Sequence, residues 1–400
     1  MVCASRGERP RLLYVLTRPL FAQRFLKGQL AHFRQRGYDV TLVASPEPEL
    51  AATGRQEQVS VFPVRIARDI SPLADALALV RLVRLCRRLR PHTVNASMPK
   101  AALLGLAAAR LTGVPARIYT LRGLRLETTR GPERWILGLC ERLTCACAHR
   151  VISVSHSLRE VYLAQGHTRA EKITVLGHGS SNGVDVERFA RGSSDGQVVR
   201  QLRQSLGIGA GQPVVGYVGR LTADKGVADL YQAYLRVRAQ VPGTRLLLVG
   251  DFEDRRHDPP SQTRTALLGD PQVVITGVVA EPAPYYGLMD VVATASHREG
   301  FPNMPLEAGA CGLPVVGVRV TGVVDAVEDD RTGLLADRGD VGGLGERIVR
   351  YLQDPELRRQ HGEAARQRVQ DSFRSPLIWD ALAQIYRELI DPDTEPNCAA

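Results

Sequence analysis

Short apolar runs alternate with longer amphipathic segments along the whole chain. The runs are rich in Val, Ile and Leu and fall into two sets, one in each half of the sequence. Continuous apolar strands separated by helices are typical of parallel sheets covered on both faces. The pattern therefore predicts an α/β protein with two doubly wound, Rossmann-like domains. The predicted strands are residues 11–16, 39–44, 93–97, 116–121, 150–155, 172–177, 214–219, 245–250, 273–278, 291–296, 313–318 and 333–336.

The segments between the strands predict the helices and a linker. One helix is expected over 25–37, with Gly37 as its stop, and another over 75–91, ended by Pro91. Residues 190–201 are rich in Gly, Ser and charged side chains, which is typical of a linker.

Two domains are expected because a chain of 400 residues exceeds what one hydrophobic core usually supports. We predict an N-terminal domain over 1–195 and a C-terminal domain over 205–374. The last helix, within 375–400, is amphipathic and is predicted to pack back on the first domain. If the two domains face one another, the carboxyl ends of their strands line a central cleft, where such sheets bind ligands.

The composition narrows the class of partner. The chain has 52 Lys and Arg against 42 Asp and Glu, a formal net charge of +10. A basic surplus favours nucleic acid, an anionic membrane surface or a phosphorylated ligand as partner. No nucleic-acid-binding motif accompanies the charge, so we expect no nucleic-acid partner.

Cysteine usage and hydropathy indicate the compartment. The seven cysteines include no C-x-x-C pair and are predicted to be reduced thiols of a cytosolic protein. The N-terminal apolar run is too short for a signal peptide, and no run reaches the roughly 18 residues of a membrane-spanning helix. We therefore expect a cytoplasmic protein that is soluble or lies on a membrane surface without crossing it.

The segment GRLTADKG, residues 219–226, lies between a predicted strand and a predicted helix. Arg220 and Lys225 thus flank a loop at the carboxyl end of a strand, and the next helix begins with free N–H groups and a partial positive charge. Two cations beside a helix N-terminus form a suitable cradle for a diphosphate. Taken alone, the same loop is also compatible with two solvated surface cations.

Two glutamates, Glu299 and Glu307, have seven residues between them in a strand–loop–helix segment. Pro305 suits the first turn of the helix, so Glu307 lies where the helix dipole favours a carboxylate and where it can accept hydrogen bonds from a ribose diol. Glu299, at the strand end, can reach a sugar hydroxyl. Either glutamate alone could be an ordinary surface charge, but the two together beside a phosphate-binding loop favour a nucleotide-sugar site.

The segments GRLTADKG, LLLVGDFE and EGFPNMPLEAGACGLPVVGVRVTGVVDAVEDDRTGLL, in this order and spacing, resemble the C-terminal domain of glycosyltransferase family 4. Stretches of the first half, such as MPKAALLGLAAARLTGVPARIYTLRGLRLET, resemble bacterial members that build capsular, exopolysaccharide or O-antigen chains. The resemblance covers nearly the whole chain. It implies the GT-B fold and transfer of a sugar from a nucleotide-activated donor with retention of configuration, without a metal or other cofactor.

By position, the resemblance implies roles for individual residues. Arg220 and Lys225 would contact the donor diphosphate, and Glu307 the ribose. The residues it implies as catalytic are Glu299, Arg220, Lys225 and Arg122. The donor-binding residues it implies are Gly219, Arg220, Lys225, Val278, Glu299, Gly300, Phe301, Pro302, Asn303, Leu306 and Glu307.

The chain departs from the family pattern in its N-terminal half. Many relatives carry histidines where this chain has Asn95 and Ser97, and Arg122 replaces a histidine that is common after the next strand. In a retaining front-face mechanism the leaving phosphate can itself accept the acceptor proton. Stabilising the departing diphosphate is then the main task, and Arg122 could share it. Asn95, Ser97 and Lys100 are the residues predicted on the acceptor side.

Two further segments have alternative interpretations. Asp251, Glu253 and Asp254 resemble the D-x-D metal site of the other nucleotide-sugar transferase fold, an interpretation that Arg220 and Lys225 disfavour.

Residues 81–90 place five arginines among apolar residues, and residues 129–143 add Trp135 and Ile136. A basic stripe beside exposed apolar side chains is typical of a protein that meets anionic lipid. It is equally the pattern of a helix packed on its own sheet. The apolar residues interleaved with these arginines are Leu82, Val83, Leu85, Cys86 and Leu89.

We therefore predict a retaining glycosyltransferase of cell-surface polysaccharide biosynthesis. It would move a hexose-type sugar from a nucleotide-sugar donor to a saccharide or a polyprenyl-diphosphate-linked saccharide, at the inner face of the plasma membrane. The alternatives are a transferase acting on a small soluble acceptor, such as a natural product or thiol cofactor, and a catalytically silent nucleotide-sugar-binding subunit. A dinucleotide-dependent oxidoreductase is disfavoured because no G-x-G-x-x-G follows the first strand of either half.

Overall fold

The computed structural model describes residues 9–67, 71–127, 129, 131–253 and 258–390, without the side chains of 125 and 191–194. The chain forms two compact units, one up to Asn182 together with the residues from Ser375, the other over Gly183–Arg374. The predicted boundary at 195–205 therefore lies inside the second unit. Residues 190–201, predicted as a linker, lie in and between two helices, Val186–Ser194 and Gly196–Ser205.

The first unit contains a parallel sheet that is seven-stranded within the described residues, with the order β3-β2-β1-β4-β5-β6-β7. Its interior strands are buried on both faces, in agreement with their continuous apolar runs. The strand order reverses between β1 and β4, which pair with Tyr14 opposite Asn95. The strands are β1 (Arg11–Val15), β2 (Asp39–Ala44), β3 (Ser60–Pro63), β4 (Thr93–Ser97), β5 (Ala116–Leu121), β6 (Arg150–Ser153) and β7 (Ile173–Val175).

The helix predicted over 25–37 covers only Gln29–Gln35, and a separate helix, Pro19–Phe25, ends where it was predicted to begin. Gly28 separates them with φ of +77°, a conformation that glycine adopts without strain. The buried carboxylate of Glu57 accepts hydrogen bonds from the N–H groups of Gly28 (2.8 Å) and Ala31 (3.0 Å), so a new helix starts there. The helices of this part are α1 (Pro19–Phe25), α2 (Gln29–Gln35), α3 (Pro48–Glu57), α4 (Pro72–Leu89), α5 (Pro99–Leu111), α6 (Pro132–Cys147) and α7 (His156–Ala164).

The second unit contains a second parallel sheet, six-stranded within the described residues, with the order β10-β9-β8-β11-β12-β13. Its strands are β8 (Val214–Val218), β9 (Arg245–Val249), β10 (Val273–Ile275), β11 (Val291–Ala293), β12 (Val315–Val318) and β13 (Gly333–Ala336). Its helices are α8 (Val186–Ser194), α9 (Gly196–Ser205), α10 (Val227–Gln240), α11 (Ser261–Gly269), α12 (Ala283–Tyr286), α13 (Met304–Ala310), α14 (Val323–Ala326), α15 (Val341–Gln353) and α16 (Pro355–Ser372).

The last helix, α17 (Ser375–Ile390), packs against α2 and β5 and belongs to the first unit. Its apolar face joins the core of the first sheet, and the Tyr386 ring is fully buried there. The Tyr386 hydroxyl lies 2.9 Å from that of Tyr14 and accepts a hydrogen bond from Asn95 Nδ2 over 2.7 Å. A polar network therefore fixes α17 on the sheet.

Two predictions about the whole chain can be compared with the described residues. None of the five cysteines in them forms a disulfide, whereas Cys3 and Cys398 lie outside this part of the chain. Burial raises the pKa of the Cys86 and Cys145 thiols to about 11 each, so both are protonated at neutral pH. No helix in the described ranges is both long and apolar enough to span a bilayer.

Candidate active site

The strand order of the second unit reverses between β8 and β11. From β8 the chain continues to β9 and β10 on one side, whereas β12 and β13 lie beyond β11 on the other. Open parallel sheets bind ligands at the carboxyl ends of the strands where such a reversal leaves a crevice. The segment 219–226 follows β8 and the segment 294–303 follows β11, so both sequence motifs lie at this point.

Glycines allow the loops at this edge to approach each other backbone to backbone. A Cβ atom on Gly226, which has φ of +65°, would lie 1.9 Å from the carbonyl oxygen of Ala295. A Cβ atom on Gly322, in the loop after β12, would lie 2.4 Å from the carbonyl oxygen of Gly300. Any larger residue at these two positions would push the loops apart, so glycine is required for the site to assemble.

The two motifs meet in an ion pair between Lys225 and Glu299. Lys225 Nζ lies 2.5 Å from Glu299 Oε1, and both side chains are mostly buried. Ser296 Oγ donates to the same oxygen over 2.8 Å. The other oxygen, Oε2, has no hydrogen-bond partner among the described residues, so Glu299 is fixed through one oxygen and can accept from a ligand through the other.

Arg220 belongs to a balanced cluster of charges. Its Nη1 lies 3.0 Å from Glu253 Oε2 and its Nη2 lies 3.8 Å from Asp224 Oδ2, while Arg298 Nη2 lies 3.9 Å from the same Asp224 oxygen. Burial alone lowers the pKa of Arg220, but the charges of Glu253 and Asp224 outweigh it, and the net pKa is raised. A diphosphate would therefore meet cations that are permanently charged and positioned by neighbouring acids.

Glu307 lies in α13 and is oriented by a tyrosine from another helix. Its Oε2 accepts a hydrogen bond from the Tyr286 hydroxyl over 2.7 Å. Burial, together with the charge of Glu307, raises the pKa of Tyr286 well above its usual range, so the hydroxyl remains a donor. The tyrosine thus restricts the carboxylate to a few orientations before any ligand binds.

The remaining predicted donor residues differ in what they expose. Phe301 and Leu306 have side chains 7% and 1% exposed, and Phe301 packs against Phe373, so only their backbones could face a ligand. Asn303 has a buried Oδ1 without a hydrogen-bond partner. Val278 is 77% exposed and follows β10 at the outer edge of the sheet, with β9 between β10 and β8. Gly219 and Gly300 lie in the two loops of the crevice, as does the partly buried Pro302.

Two of the three acidic residues that follow β9 make contacts in the described part of the chain. Glu253 is the partner of Arg220, and Asp251 Oδ1 accepts from the N–H of Phe252. Asp254 lies outside the described residues. Within the described ranges, no three His, Cys, Asp or Glu side chains are grouped so as to hold a metal ion.

The residues predicted on the acceptor side lie in the first unit. Asn95 is buried and joins the network of α17, where its Oδ1 also accepts from Thr120 Oγ1 over 2.8 Å. Ser97 is buried on the same strand, and Lys100 Nζ lies 3.0 Å from Asp75 Oδ1. Asn95 thus holds α17 on the sheet through its hydrogen bonds.

Arg122 follows β5 directly. Its Nε and Nη1 atoms are buried and have no hydrogen-bond partner. Its guanidinium carbon lies 5.4 Å from the centroid of the Phe25 ring.

Comparison with known proteins decides the family. Residues 22–179 match the model of the glycosyl transferase 4-like domain, and residues 198–368 match that of glycosyl transferases group 1. A capsular polysaccharide biosynthesis glycosyltransferase, CapM of Staphylococcus aureus, is 34% identical over 91% of this chain and 94% of its own length. The chain belongs to glycosyltransferase family 4.

Other similar proteins agree with this assignment. The UDP-Gal:alpha-D-GlcNAc-diphosphoundecaprenol alpha-1,3-galactosyltransferase of Escherichia coli is 24% identical over 96% of this chain and 99% of its own length. The structure of Anabaena HepE in complex with UDP-glucose has a TM-score of 0.78 and 22% identity, and the match covers 94% of this chain and 98% of that one. This family 4 glycosyltransferase therefore has the predicted fold, with two Rossmann-like domains of the GT-B type.

Sequence reasoning missed several residues that shape the site of this glycosyltransferase. Ser296 is the last residue of the predicted strand that precedes Glu299. Its position alone could therefore have placed it at the site. Tyr286 comes from a separate helix and carries no motif, and Glu253 was interpreted only as part of an acidic metal-binding pattern, not as the partner of Arg220. Only the fold brings them to Glu307 and Arg220.

Proposed function

We propose that this glycosyltransferase transfers a hexose-type sugar, with retention and without a metal, from a nucleotide-sugar to a saccharide or polyprenyl-diphosphate-linked saccharide in cell-surface polysaccharide biosynthesis. The observation that carries the proposal is the Lys225–Glu299 pair at the β8/β11 reversal, with Glu307 oriented by Tyr286 beside it. The names of CapM and of the E. coli galactosyltransferase support polysaccharide and diphosphate-linked acceptors.

The proposed chemistry uses the donor phosphate as the base. The bond between sugar C1 and the oxygen of the nucleotide's terminal phosphate breaks, and C1 bonds to the acceptor hydroxyl oxygen on the same face. The hydroxyl proton passes to the leaving phosphate oxygen. Arg220 and Lys225 stabilise the charge that develops on the diphosphate, which is the largest task in this mechanism. Glu307 would accept from the ribose, and Glu299 Oε2 from a sugar hydroxyl.

A membrane surface is the proposed location of the reaction, at the cytoplasmic face. The sequence placed apolar residues among the arginines of α4, but Leu82, Leu85 and Cys86 are buried against the unit. The apolar residues that α4 exposes come one to two turns earlier and are Leu73, Leu77 and Val80, followed on the same outer face by Arg81, Arg84, Arg87 and Arg88.

A second helix of the first unit also exposes apolar side chains. α5 packs against both α4 and α6, and α6 exposes four large apolar side chains. An apolar surface bordered by arginines suits the boundary between lipid headgroups and acyl chains of an anionic bilayer. The exposed residues of α6 are Trp135 (73% exposed), Ile136, Leu139 and Leu143.

A transfer assay tests the proposed function. The purified chain is incubated with UDP-, GDP-, ADP- and TDP-hexoses and with either a polyprenyl-diphosphate-linked sugar or a water-soluble aglycone, with and without EDTA. We expect product only with a saccharide acceptor, equal rates with EDTA, and an NMR coupling at the new anomeric centre that matches the donor. An inverted product, a requirement for a divalent metal, or transfer to the soluble aglycone alone would contradict the proposal.

A further inference from the structure

Arg122 carries a charge that no described residue of the first unit compensates. The residue makes no ion pair among the described residues, and its Nε and Nη1 atoms are buried without an acceptor. The third guanidinium nitrogen, Nη2, is not among these buried atoms. Phe25 provides a ring face 5.4 Å away, which offsets only part of the cost of burying a cation.

The polar groups beside Arg122 cannot supply the missing negative charge. The hydroxyls of Tyr14 and Tyr386 lie 2.9 Å from each other, and Asn95 donates to Tyr386. Burial raises the pKa of Tyr14 well above its usual range and also raises the pKa of Tyr386, so both hydroxyls stay neutral.

The guanidinium nevertheless remains charged under working conditions. Burial lowers the pKa of Arg122 to about 10, which still leaves it protonated near neutral pH. A buried charge without a partner is strongly unfavourable, and natural proteins retain such a group where a ligand completes it. The planar guanidinium is suited to phosphate oxygens in particular.

The position of Arg122 agrees with a ligand role. It follows β5, which lies beside β4 at the reversal of the first sheet, so the residue is at the carboxyl edge where such sheets bind ligands. Gly123, next in the chain, has φ of +150° and leaves no side chain between the loop and a ligand.

We propose that Arg122 and the end of β5 form a phosphate-binding site of the first unit. The site takes one phosphate of a diphosphate. Two substrates contain that group, the nucleotide-sugar donor and a polyprenyl-diphosphate-linked acceptor. This inference rests on the proposed function for the identity of the ligand, but not for the existence of the site.

The first test is the stability of the full chain without any ligand. Arg122→Met keeps most of the side-chain volume and removes the charge, so we expect its unfolding midpoint to rise by about 2–4 °C. Arg55→Met, on the exposed face of α3, is the control and should leave the midpoint unchanged. If Arg122 instead stabilises the fold, Arg122→Met should lower the unfolding midpoint. That result overturns the proposal.

The second test is calorimetry with inorganic pyrophosphate in an Arg220→Ala/Lys225→Ala background, which lacks the other cradle. Adding Arg122→Met should weaken the remaining binding at least ten-fold, Arg122→Lys should restore part of it, and unchanged binding overturns the proposal.

Steady-state kinetics then identify the source of the phosphate. If Arg122→Met raises the KM for the nucleotide-sugar, the phosphate bound by Arg122 is that of the donor. If it raises the KM for the diphosphate-linked acceptor, the phosphate is that of the acceptor. No change in either KM counts against the site. If the wild-type chain binds no nucleotide-sugar at all, the proposed function fails, but the stability and pyrophosphate results still decide on Arg122.

Discussion

At the scale of single residues, the site consists of charged groups that other side chains hold in place before a ligand arrives. Glu299 is fixed by Lys225 and Ser296, and Glu307 is fixed by Tyr286. Preorganised groups act on a transition state without having to reorganise during the reaction, which is where much of the catalytic effect of enzymes originates.

Replacing Lys225 tests this arrangement. Lys225→Met removes a cation from the diphosphate cradle and leaves Glu299 Oε1 held by Ser296 alone, so we expect kcat to fall by roughly 10²–10³-fold. Lys172→Met is the matched control. Lys172 lies in the first unit at the amino end of β7, and not at the carboxyl ends of strands where ligands bind. The comparison is made by steady-state kinetics with the donor identified in the transfer assay. A variant with activity within two-fold of wild type would show that Lys225 is only a surface cation.

At the scale of elements, the sequence predicts the interior of the sheets better than their edges. Each predicted strand is present, and the interior strands such as β1, β5 and β9 are apolar runs buried on both faces, which leave a strong pattern. The edge strand β3 was missed, since SVFP is short, only partly buried and ends in proline. The start of α2 after Gly28 depends on Glu57, which is distant in sequence and gives no local signal.

The same distinction applies to the site. Arg220, Lys225, Glu299 and Glu307 lie in two continuous segments and could be placed from the sequence. Their partners Tyr286 and Glu253 come from other elements, and Asn95 was predicted to face an acceptor although it binds Tyr386 of α17. Contacts of this kind follow from tertiary packing, which a local pattern does not contain.

A buried carboxylate also links three elements of the first unit and gives a pH dependence. Glu141, in α6, accepts from Tyr119 of β5 and Tyr162 of α7 over 3.0 and 2.8 Å. Burial raises the pKa of Glu141 despite these hydrogen bonds. The folded-state pKa thus exceeds the unfolded value, and stability from this group is present below the unfolded pKa, near 4.5, and is lost as pH rises through the folded pKa.

The variant Glu141→Gln removes this titration. The free energy of unfolding is measured in urea at pH 5, 6.5 and 8. We expect wild type to become less stable relative to the variant as pH rises. Glu160→Gln, exposed on α7, should show a difference that does not depend on pH. A constant difference for Glu141→Gln as well would mean that Glu141 is ionised in the folded state without cost.

At the scale of the whole molecule, the basic surplus of the chain has two proposed uses. Part of it serves the phosphate-binding sites, and part lies on the outer face of α4, next to the exposed apolar residues of the same helix. Sedimentation with phosphatidylglycerol-containing vesicles tests the second use. Trp135→Ser should weaken binding by about ten-fold, whereas Leu268→Ser, 64% exposed on α11 of the second unit, should not.

Salt and lipid charge separate this interpretation from nonspecific adsorption. Binding through arginines should decrease as ionic strength rises and should be weak on phosphatidylcholine alone. Equal binding of both variants and of both lipids would contradict a membrane role for this face.

The central claim is that the second unit binds a nucleotide-sugar through Glu307 and the Arg220–Lys225 cradle. Calorimetry with UDP-, GDP-, ADP- and TDP-sugars, with and without EDTA, tests it most directly. The proteins compared are wild type, Glu307→Ala and the control Glu346→Ala, whose side chain is exposed on α15. The account predicts that sugars of one base bind wild type and Glu346→Ala equally, that EDTA changes nothing, and that Glu307→Ala binds at least about ten-fold more weakly. If no nucleotide-sugar binds, or if Glu307→Ala binds as wild type does, the claim is wrong.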